Sequence, residues 1–446
     1  MESVSSTGTE VPQHPRAKAQ LLVMVGTVAE GLFRLQPVLW RGGEFCLLAY
    51  LFLVPFPSHT ATLRAGTLTA ALLLWVLARA SETGFRWRRW AIDRWIFAYF
   101  GVVVISILFS VNPWESARQF RSSGLTYLAI YLLLTEHLQM GAEIHYLLTV
   151  ALVSSSLIAL YGYWSFWWLG IMSDGRPISV FSYQNDLSHY LLVPCLVLVW
   201  YLIRERRWSL RPAWGALLML HLGLLVLTQT RASLVAFVTS SGAMIVTLRR
   251  RLLTFLLACL FAVALPLGFL GDGKMWERYA SIFRWKTYAT DQARVRGEVW
   301  KTTIKLISRR PVLGYGYGWK SFRTHAQASH PVEPEAPAGG VIHAHNIFLQ
   351  IAFESGLLGL LAFLGLWVQV VAVALRNIRQ RGDPFISEIN TLALGVFLAA
   401  LLVGLTDIAY WYERVGTLTW LFIGLVAGTA ALASRGQPTG KWKGSL

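Results

Sequence analysis

The sequence predicts an all-α polytopic membrane protein, with about twelve transmembrane helices and one large loop on the outer face. Three observations support this fold class. Only 14% of the 446 residues are charged, against about 25% in typical soluble domains. Apolar runs long enough to cross a bilayer recur along the chain. Arginines gather in alternate connections between these runs.

The apolar runs define the elements in order. A helix needs about 20 apolar residues to cross the hydrocarbon core. The stretch 20–35 is interrupted by Glu30 and Arg34, so we expect an amphipathic helix on the membrane surface there. Spanning helices are predicted at 41–57, 60–79, 93–111, 123–138, 144–169, 187–203, 213–229, 232–248, 251–271, 346–375, 385–405 and 415–434.

Arginine placement predicts the side of each connection. Positive charge resists translocation and accumulates in cytoplasmic loops. Fifteen arginines lie in the second, sixth, eighth and tenth connections, so these connections and both termini are expected in the cytoplasm. The odd-numbered connections then face outward. Because the net charge of +17 comes largely from such clusters, it does not indicate a nucleic-acid partner.

The longest outward connection divides the chain. It occupies 272–345, between nine spans in 1–271 and three spans with a cytoplasmic tail in 346–446. Its apolar spacing predicts a helix over 293–308, and its Pro- and Gly-rich part, 331–340, is expected to be mobile. The connection holds twelve Lys/Arg against six Asp/Glu, and four of the ten histidines. This excess on the translocated side indicates an anionic ligand.

Arg231 follows a tight turn between spans seven and eight, within Thr228–Ser233. A lone arginine at a span boundary either reaches to the interface with its charged end or binds an anion. The turn would hold the guanidinium in place, and a guanidinium binds phosphate through two parallel hydrogen bonds. We therefore interpret Arg231 as an anion ligand.

Two other outward segments carry arginines. Arg294 and Arg296 begin the predicted loop helix, where pairing with Glu298 on a solvated face is the alternative to ligand binding. Arg176 lies between spans five and six, near amides such as that of Asn185 that could bind a sugar. An ordinary turn is the alternative there.

The most specific motif joins the loop to span ten and contains His343, His345 and Asn346. Two histidines at this spacing could suggest a metal, but no third ligand follows at a recognisable spacing, so no metal is predicted. Asn346 is the expected helix cap. His345 would then lie at the positive end of the helix dipole, which keeps the imidazole neutral, as a general base must be.

The segment Gly314–Gly318 superficially resembles a phosphate-binding loop. It does not follow a strand of a βαβ unit, and its spacing fits neither nucleotide fingerprint. A tight backbone turn is the better interpretation.

Taken together, these motifs resemble the bacterial O-antigen ligase family, within the wider group that includes O-antigen polymerases. The resemblance covers most of the chain, chiefly 176–360. The motifs are Thr-Gln-Thr-Arg ending at Arg231, Arg296 with Trp300, Pro311 with Gly314, Gly316 and Gly318, and His345-Asn346 followed by Gly356 and Gly359.

The resemblance implies a membrane-embedded glycosyltransferase of the GT-C type. Such an enzyme moves a polysaccharide from undecaprenyl diphosphate to lipid A–core oligosaccharide, at the periplasmic face of the bacterial inner membrane, without metal, nucleotide or cofactor. Arg231 and Arg296 would hold the diphosphate, and His345 would activate the acceptor. Further substrate contacts are expected from Arg176, Arg294, Asn346, His343, Asn185 and Trp300.

One departure concerns the loop after span five, where relatives often carry Asn-Pro-Asn and this chain has Tyr183-Gln184-Asn185. The alternatives from the same group are an O-antigen polymerase and a protein O-oligosaccharyltransferase, which differ only in the acceptor. A transporter of lipid-linked glycan is disfavoured, since no repeated halves or midplane charges are evident. The expected partners are the lipid-linked donor, the lipid A–core acceptor and membrane lipids, with no nucleic acid.

Overall fold

The computed structural model describes residues 35–80, 91–137, 141–248, 291–329, 343–380, 383–408 and 413–434. Almost all of them are helical. The helices are α1 (35–53), α2 (Ala61–Ala80), α3 (Asp93–Leu108), α4 (Pro113–Gln119), α5 (Leu125–His137), α6 (Gly141–Trp168), α7 (Gln184–Arg204), α8 (Arg211–Leu227), α9 (Arg231–Leu248), α10 (Asp291–Arg309), α11 (Trp319–Ser329), α12 (Ile347–Arg379), α13 (Pro384–Gly404) and α14 (Glu413–Ser434).

Three short elements complete the described fold. A 3₁₀ turn at Ser58–Thr60 precedes α2, and a π-helical turn at Phe120–Gly124 joins α4 to α5. A short hairpin pairs two antiparallel strands of two residues each, β1 (Met172–Ser173) and β2 (Arg176–Pro177).

The predicted spans agree with these helices. Each falls on a helix, apart from 251–271, which lies outside the described residues together with 20–34 and 331–340. In the part of the chain that the structure describes, seven helices are long and apolar enough to cross a bilayer. The chain is therefore a multi-pass membrane protein. The total of twelve spans stays a prediction, because helices such as α3 and α8 are shorter than the usual spanning length.

The centre of the bundle is formed by α7 and α14, whose spanning windows are almost entirely buried. Around them α14 packs on α5, α13 on α9, and α12 on α3. A helix that is apolar on every side is typical of such a central position. In α2, at the periphery of the bundle, only 28% of the spanning window is buried, as expected of a lipid-facing helix.

Helix α12 is kinked near its N-terminal end. Gly356 has φ 68° and ψ −173°, which interrupts the helical hydrogen-bond ladder. The freed carbonyl of Phe353 accepts from the backbone N–H of Tyr315 at 2.9 Å, and that of Glu354 accepts from Gly316 at 2.9 Å. The segment Gly314–Gly318 is therefore a tight turn, as the sequence predicts, and the structure shows in addition that it packs on the kink.

The described part of the connection between α9 and α12 has a small core of its own. Helix α10 confirms the helix expected over 293–308. Its buried Val299 and Leu306 form one cluster with Tyr315, Phe322 of α11, and Phe353 of α12. The Tyr315 and Phe353 rings stack with their centroids 4.7 Å apart. These contacts fix α10 to the N-terminal end of α12. Arg296 of α10 therefore lies near His345, just before α12.

Candidate active site

The turn before α12 carries the two histidines. As predicted, Asn346 caps the helix: its Oδ1 accepts from the backbone N–H groups of Phe348 at 3.0 Å and Leu349 at 3.1 Å. Its Nδ2 donates to the carbonyl of Leu405 at 3.1 Å, which ties the turn to the end of α13. Both polar ends of the Asn346 side chain therefore have protein partners, and its predicted contact with substrate stays a prediction.

His345 lies in the left-handed region, with φ 50°, which non-glycine residues seldom adopt. Neighbouring groups hold this conformation. The N–H of Ala344 donates to Gln350 Oε1 at 3.0 Å, and Gln350 Nε2 donates to Glu354 Oε1 at 2.8 Å. Because Gln350 and Glu354 are buried, their side chains hold the backbone of the turn in place. The position of His345 at the start of α12 is therefore determined by the protein.

Asp407 joins the histidines from the end of α13. Side-chain ligand atoms of His343, His345 and Asp407 all lie within 4.8 Å of one another. The Asp407 carboxylate accepts from the backbone N–H of Ile408 at 2.7 Å and from Asn185 Nδ2 at 3.4 Å. Sequence analysis missed Asp407, because chain spacing does not relate it to the histidines. A lone carboxylate just beyond an apolar span was the available signal.

The surroundings keep His345 neutral. Burial, followed by the neighbouring His343, lowers the pKa of His345 to about 3; the nearby Arg296 acts in the same direction and Asp407 opposes it. Burial also lowers the pKa of His343. A neutral His345 agrees with the sequence prediction, but the main cause is desolvation by the packed loop and helix ends.

The turn before Arg231 connects to the same cluster. Thr230 Oγ1 donates to Asn185 Oδ1 at 3.2 Å, and Asn185 in turn donates to Asp407. The hydroxyls of Ser233 and Ser188 hydrogen-bond at 2.9 Å and clamp α9 against α7. Arg231 is half-buried at the first residue of α9. Asn185 thus links the Arg231 turn to Asp407, which gives the loop after span five a definite place in the site.

The remaining predicted residues differ in their placement. Arg176 is buried in the hairpin, where it pairs with Asp174 at 2.9 Å and lies against Gln184. These contacts favour the alternative of an ordinary turn over a sugar contact. Trp300 is half-buried one turn after Arg296, and its indole N–H is buried without a hydrogen-bond partner among the described residues. Arg294 lies in α10, but its side chain falls outside the described residues.

Three more charged or titratable residues surround the cluster and were not foreseen. Buried His189 of α7 interacts electrostatically with Asp407 and Arg296. Asp186 interacts with Asp407 and Arg414. Arg414, the second residue of α14, donates to the carbonyl of Val180 at 3.1 Å. For Asp186 and Arg414, a charge at the end of an apolar span was again the available signal.

Four residues of this site come from connections that the arginine pattern predicts to lie on one side of the membrane. The fifth, seventh, ninth and eleventh connections contribute Asn185, Thr230, His345 and Asp407, respectively. Their meeting at one end of the bundle agrees with alternating spans. The side of the membrane that this end occupies stays a prediction.

Comparison with known proteins finds a family model that matches part of the chain. Residues 214–364 match the family model described as O-Antigen ligase. No curated protein matches the chain. A chain in the structure titled "Structural coordination of polymerization and crosslinking by a peptidoglycan synthase complex" is similar at TM-score 0.45 and 14% identity, over 78% of this chain and 98% of that one. The matched segment contains Arg231, Arg296 and His345, and the chain is thus a multi-pass membrane protein whose residues 214–364 match the model of the O-antigen ligase family.

Proposed function

We propose that the chain is an O-antigen ligase of the bacterial inner membrane. It transfers a polysaccharide from undecaprenyl diphosphate to the lipid A–core oligosaccharide, with its active site on the periplasmic side. The support is the family match, together with the meeting of His345, Asp407 and Arg296 at one end of the helical bundle.

The proposed reaction is a direct displacement. The neutral imidazole of His345 takes the proton of an acceptor hydroxyl as the hydroxyl oxygen attacks the anomeric carbon of the donor sugar. The bond from that carbon to the diphosphate oxygen breaks, and its electron pair leaves with undecaprenyl diphosphate. One displacement inverts the configuration at the anomeric carbon.

Arg231 and Arg296 stabilise the leaving group in this proposal. Negative charge develops on the diphosphate as the bond breaks, and fixed guanidinium groups can bind it through paired hydrogen bonds. They supply the charge that a divalent ion supplies in many other transferases, so transfer is expected to be metal-independent. The proton stays on His345, where the nearby Asp407 carboxylate stabilises the imidazolium.

The deciding experiment is transfer in vitro. Purified protein receives undecaprenyl-diphosphate glycan and, in separate reactions, lipid A–core, a second copy of the lipid-linked glycan, or an acceptor protein. Product on lipid A–core alone supports the ligase, and a chelator should not reduce it. Extension of the glycan chain would identify a polymerase, and a glycosylated protein would identify an oligosaccharyltransferase.

A further inference from the structure

The cluster of His343, His345 and Asp407 has the composition of a transition-metal site. Two imidazoles and one carboxylate form a ligand set that zinc uses in proteins, with a fourth position left for water or substrate. The three side chains converge from the turn before α12 and from the end of α13, with ligand atoms within 4.8 Å of one another. Ligands of a tetrahedral zinc ion at about 2.1 Å lie roughly 3.4 Å apart, so small side-chain rotations would close the site.

Polar groups around the cluster suit this use. His345 Nδ1 is buried and has no hydrogen-bond partner among the described residues. Each oxygen of Asp407 accepts one hydrogen bond, from Ile408 and Asn185, and keeps a second lone pair for a ligand. Such hydrogen bonds orient a carboxylate before a metal arrives.

Charge around the cluster is mixed. Arg296 interacts electrostatically with the histidines and opposes any cation, whereas Asp186 interacts with Asp407 and favours one. His189 is buried and interacts with Asp407 as well. Imidazole ligands select zinc-like ions, since magnesium prefers oxygen ligands alone. Binding by magnesium is therefore not expected.

We propose that His343, His345 and Asp407 bind Zn²⁺ and that the bound ion inhibits glycan transfer. The inhibitory part rests on the proposed function. A metal ion at His345 occupies the lone pair that would otherwise accept the acceptor proton, and it adds positive charge where an imidazolium should form. Zinc in this role is a regulator of the base, and the reaction itself needs no metal.

The test measures binding and activity separately. Full-length protein in nanodiscs, with any affinity tag removed, is dialysed against Zn²⁺ and its metal content determined; Co²⁺ replaces Zn²⁺ for visible absorption. We expect one ion per chain and the absorption bands of tetrahedral Co²⁺. His343→Gln and Asp407→Asn should lose the ion, whereas the control His325→Gln, in α11 of the same loop, should keep it. Excess Mg²⁺ should not compete.

In the transfer assay, saturating Zn²⁺ should slow wild-type turnover by about 10² or more, the usual loss of a general base, and a chelator should restore it. Absence of a bound ion, or an equal amount in wild type and both variants, overturns the site. If both variants misfold, the Co²⁺ spectrum of wild type still tests the site, because absence of the tetrahedral absorption bands would contradict it. If zinc binds the cluster of His343, His345 and Asp407 without slowing transfer, the proposed inhibition is wrong. The proposed role of His345 as general base is then wrong as well. A protein that binds zinc but transfers no glycan refutes the proposed function alone.

Discussion

Gly314, in the turn after α10, and Gly356 of α12 adopt the same φ, 68°, and each lies against the backbone of the segment that contains the other. A Cβ added to Gly314 would lie 2.3 Å from the Phe353 carbonyl oxygen, and one added to Gly356 would lie 2.1 Å from that of Val312. Both positions therefore require glycine for conformation and for space. Gly314 and Gly356 therefore belong to the sequence motif because they form the contact that joins the turn after α10 to the kinked helix α12.

We expect Gly356→Ala to destabilise the protein by about 2 kcal/mol or more, since strain at positive φ alone costs about 1–3 kcal/mol. The measurement is the thermal unfolding midpoint in detergent. Gly242→Ala in α9 is the control, because nothing lies within 4 Å of its added Cβ and alanine favours a helix. Equal midpoints for the two variants would contradict the packing argument.

Arg231→Ala and Arg296→Ala should each lower transfer by about 10² to 10³, the usual effect of losing a group that stabilises transition-state charge. Lysine should rescue poorly, because an ammonium cannot form the planar paired contact. The exposed Arg309 at the end of α10 offers a control, and Arg309→Ala should retain activity. Full activity in Arg231→Ala would remove that residue from the mechanism.

His345→Ala should still bind the lipid-linked donor but lose about 10² to 10⁴ in turnover. Since burial lowers the pKa of His345, the neutral base persists as pH falls, and the acidic limb of the wild-type rate should lie well below the ordinary value of about 6.5. Donor affinity and the pH–rate profile are the measurements. His343→Ala should cost less, and the exposed His59→Ala is the control. If His345→Ala loses donor binding while its bound fraction turns over normally, the base lies elsewhere.

Asp407→Asn should slow transfer by about 10- to 10³-fold, because an adjacent opposite charge favours a protonated group by about 1–3 pKa units. Loss of the Asp407 charge should also move the acidic limb of the pH–rate profile to lower pH, because Asp407 raises the pKa of His345. A purely structural role of Asp407 would not move this limb. Asp174→Asn, at an exposed carboxylate of the hairpin, is the matched control. An unchanged pH profile in Asp407→Asn would leave the aspartate a structural role only.

Topology can be tested by cysteine labelling in a background without the three native cysteines. Ser308→Cys, exposed near the end of α10, should react with an impermeant reagent in intact cells. Arg207→Cys, between α7 and α8, should react only after lysis. The reverse pattern would show that the orientation inferred from the arginines is wrong.

How much the sequence predicts depends on the range of the interaction. The spans follow from local apolarity, and the Asn346 cap follows from two neighbouring N–H groups. Asp407 could not be found this way, because only packing of α13 against α12 brings it to the histidines. Likewise, nothing local reveals that Gln184 lies against Arg176 and gives that arginine a structural partner. The sequence pattern therefore predicts the helices and individual candidate residues. Which of these residues lie together in the site depends on tertiary contacts.

The kink at Gly356 divides α12 into a short N-terminal piece and a long C-terminal piece. The N-terminal piece follows His345 and Asn346, and it is hydrogen-bonded to the turn that follows α10, the helix of Arg296. Ser106 of α3 donates to the carbonyls of Leu313 and Glu354 at 2.7 Å and holds both sides of this contact. The relative positions of the imidazole and the guanidinium are therefore determined by contacts at the kink, although 48 residues of chain separate the two side chains.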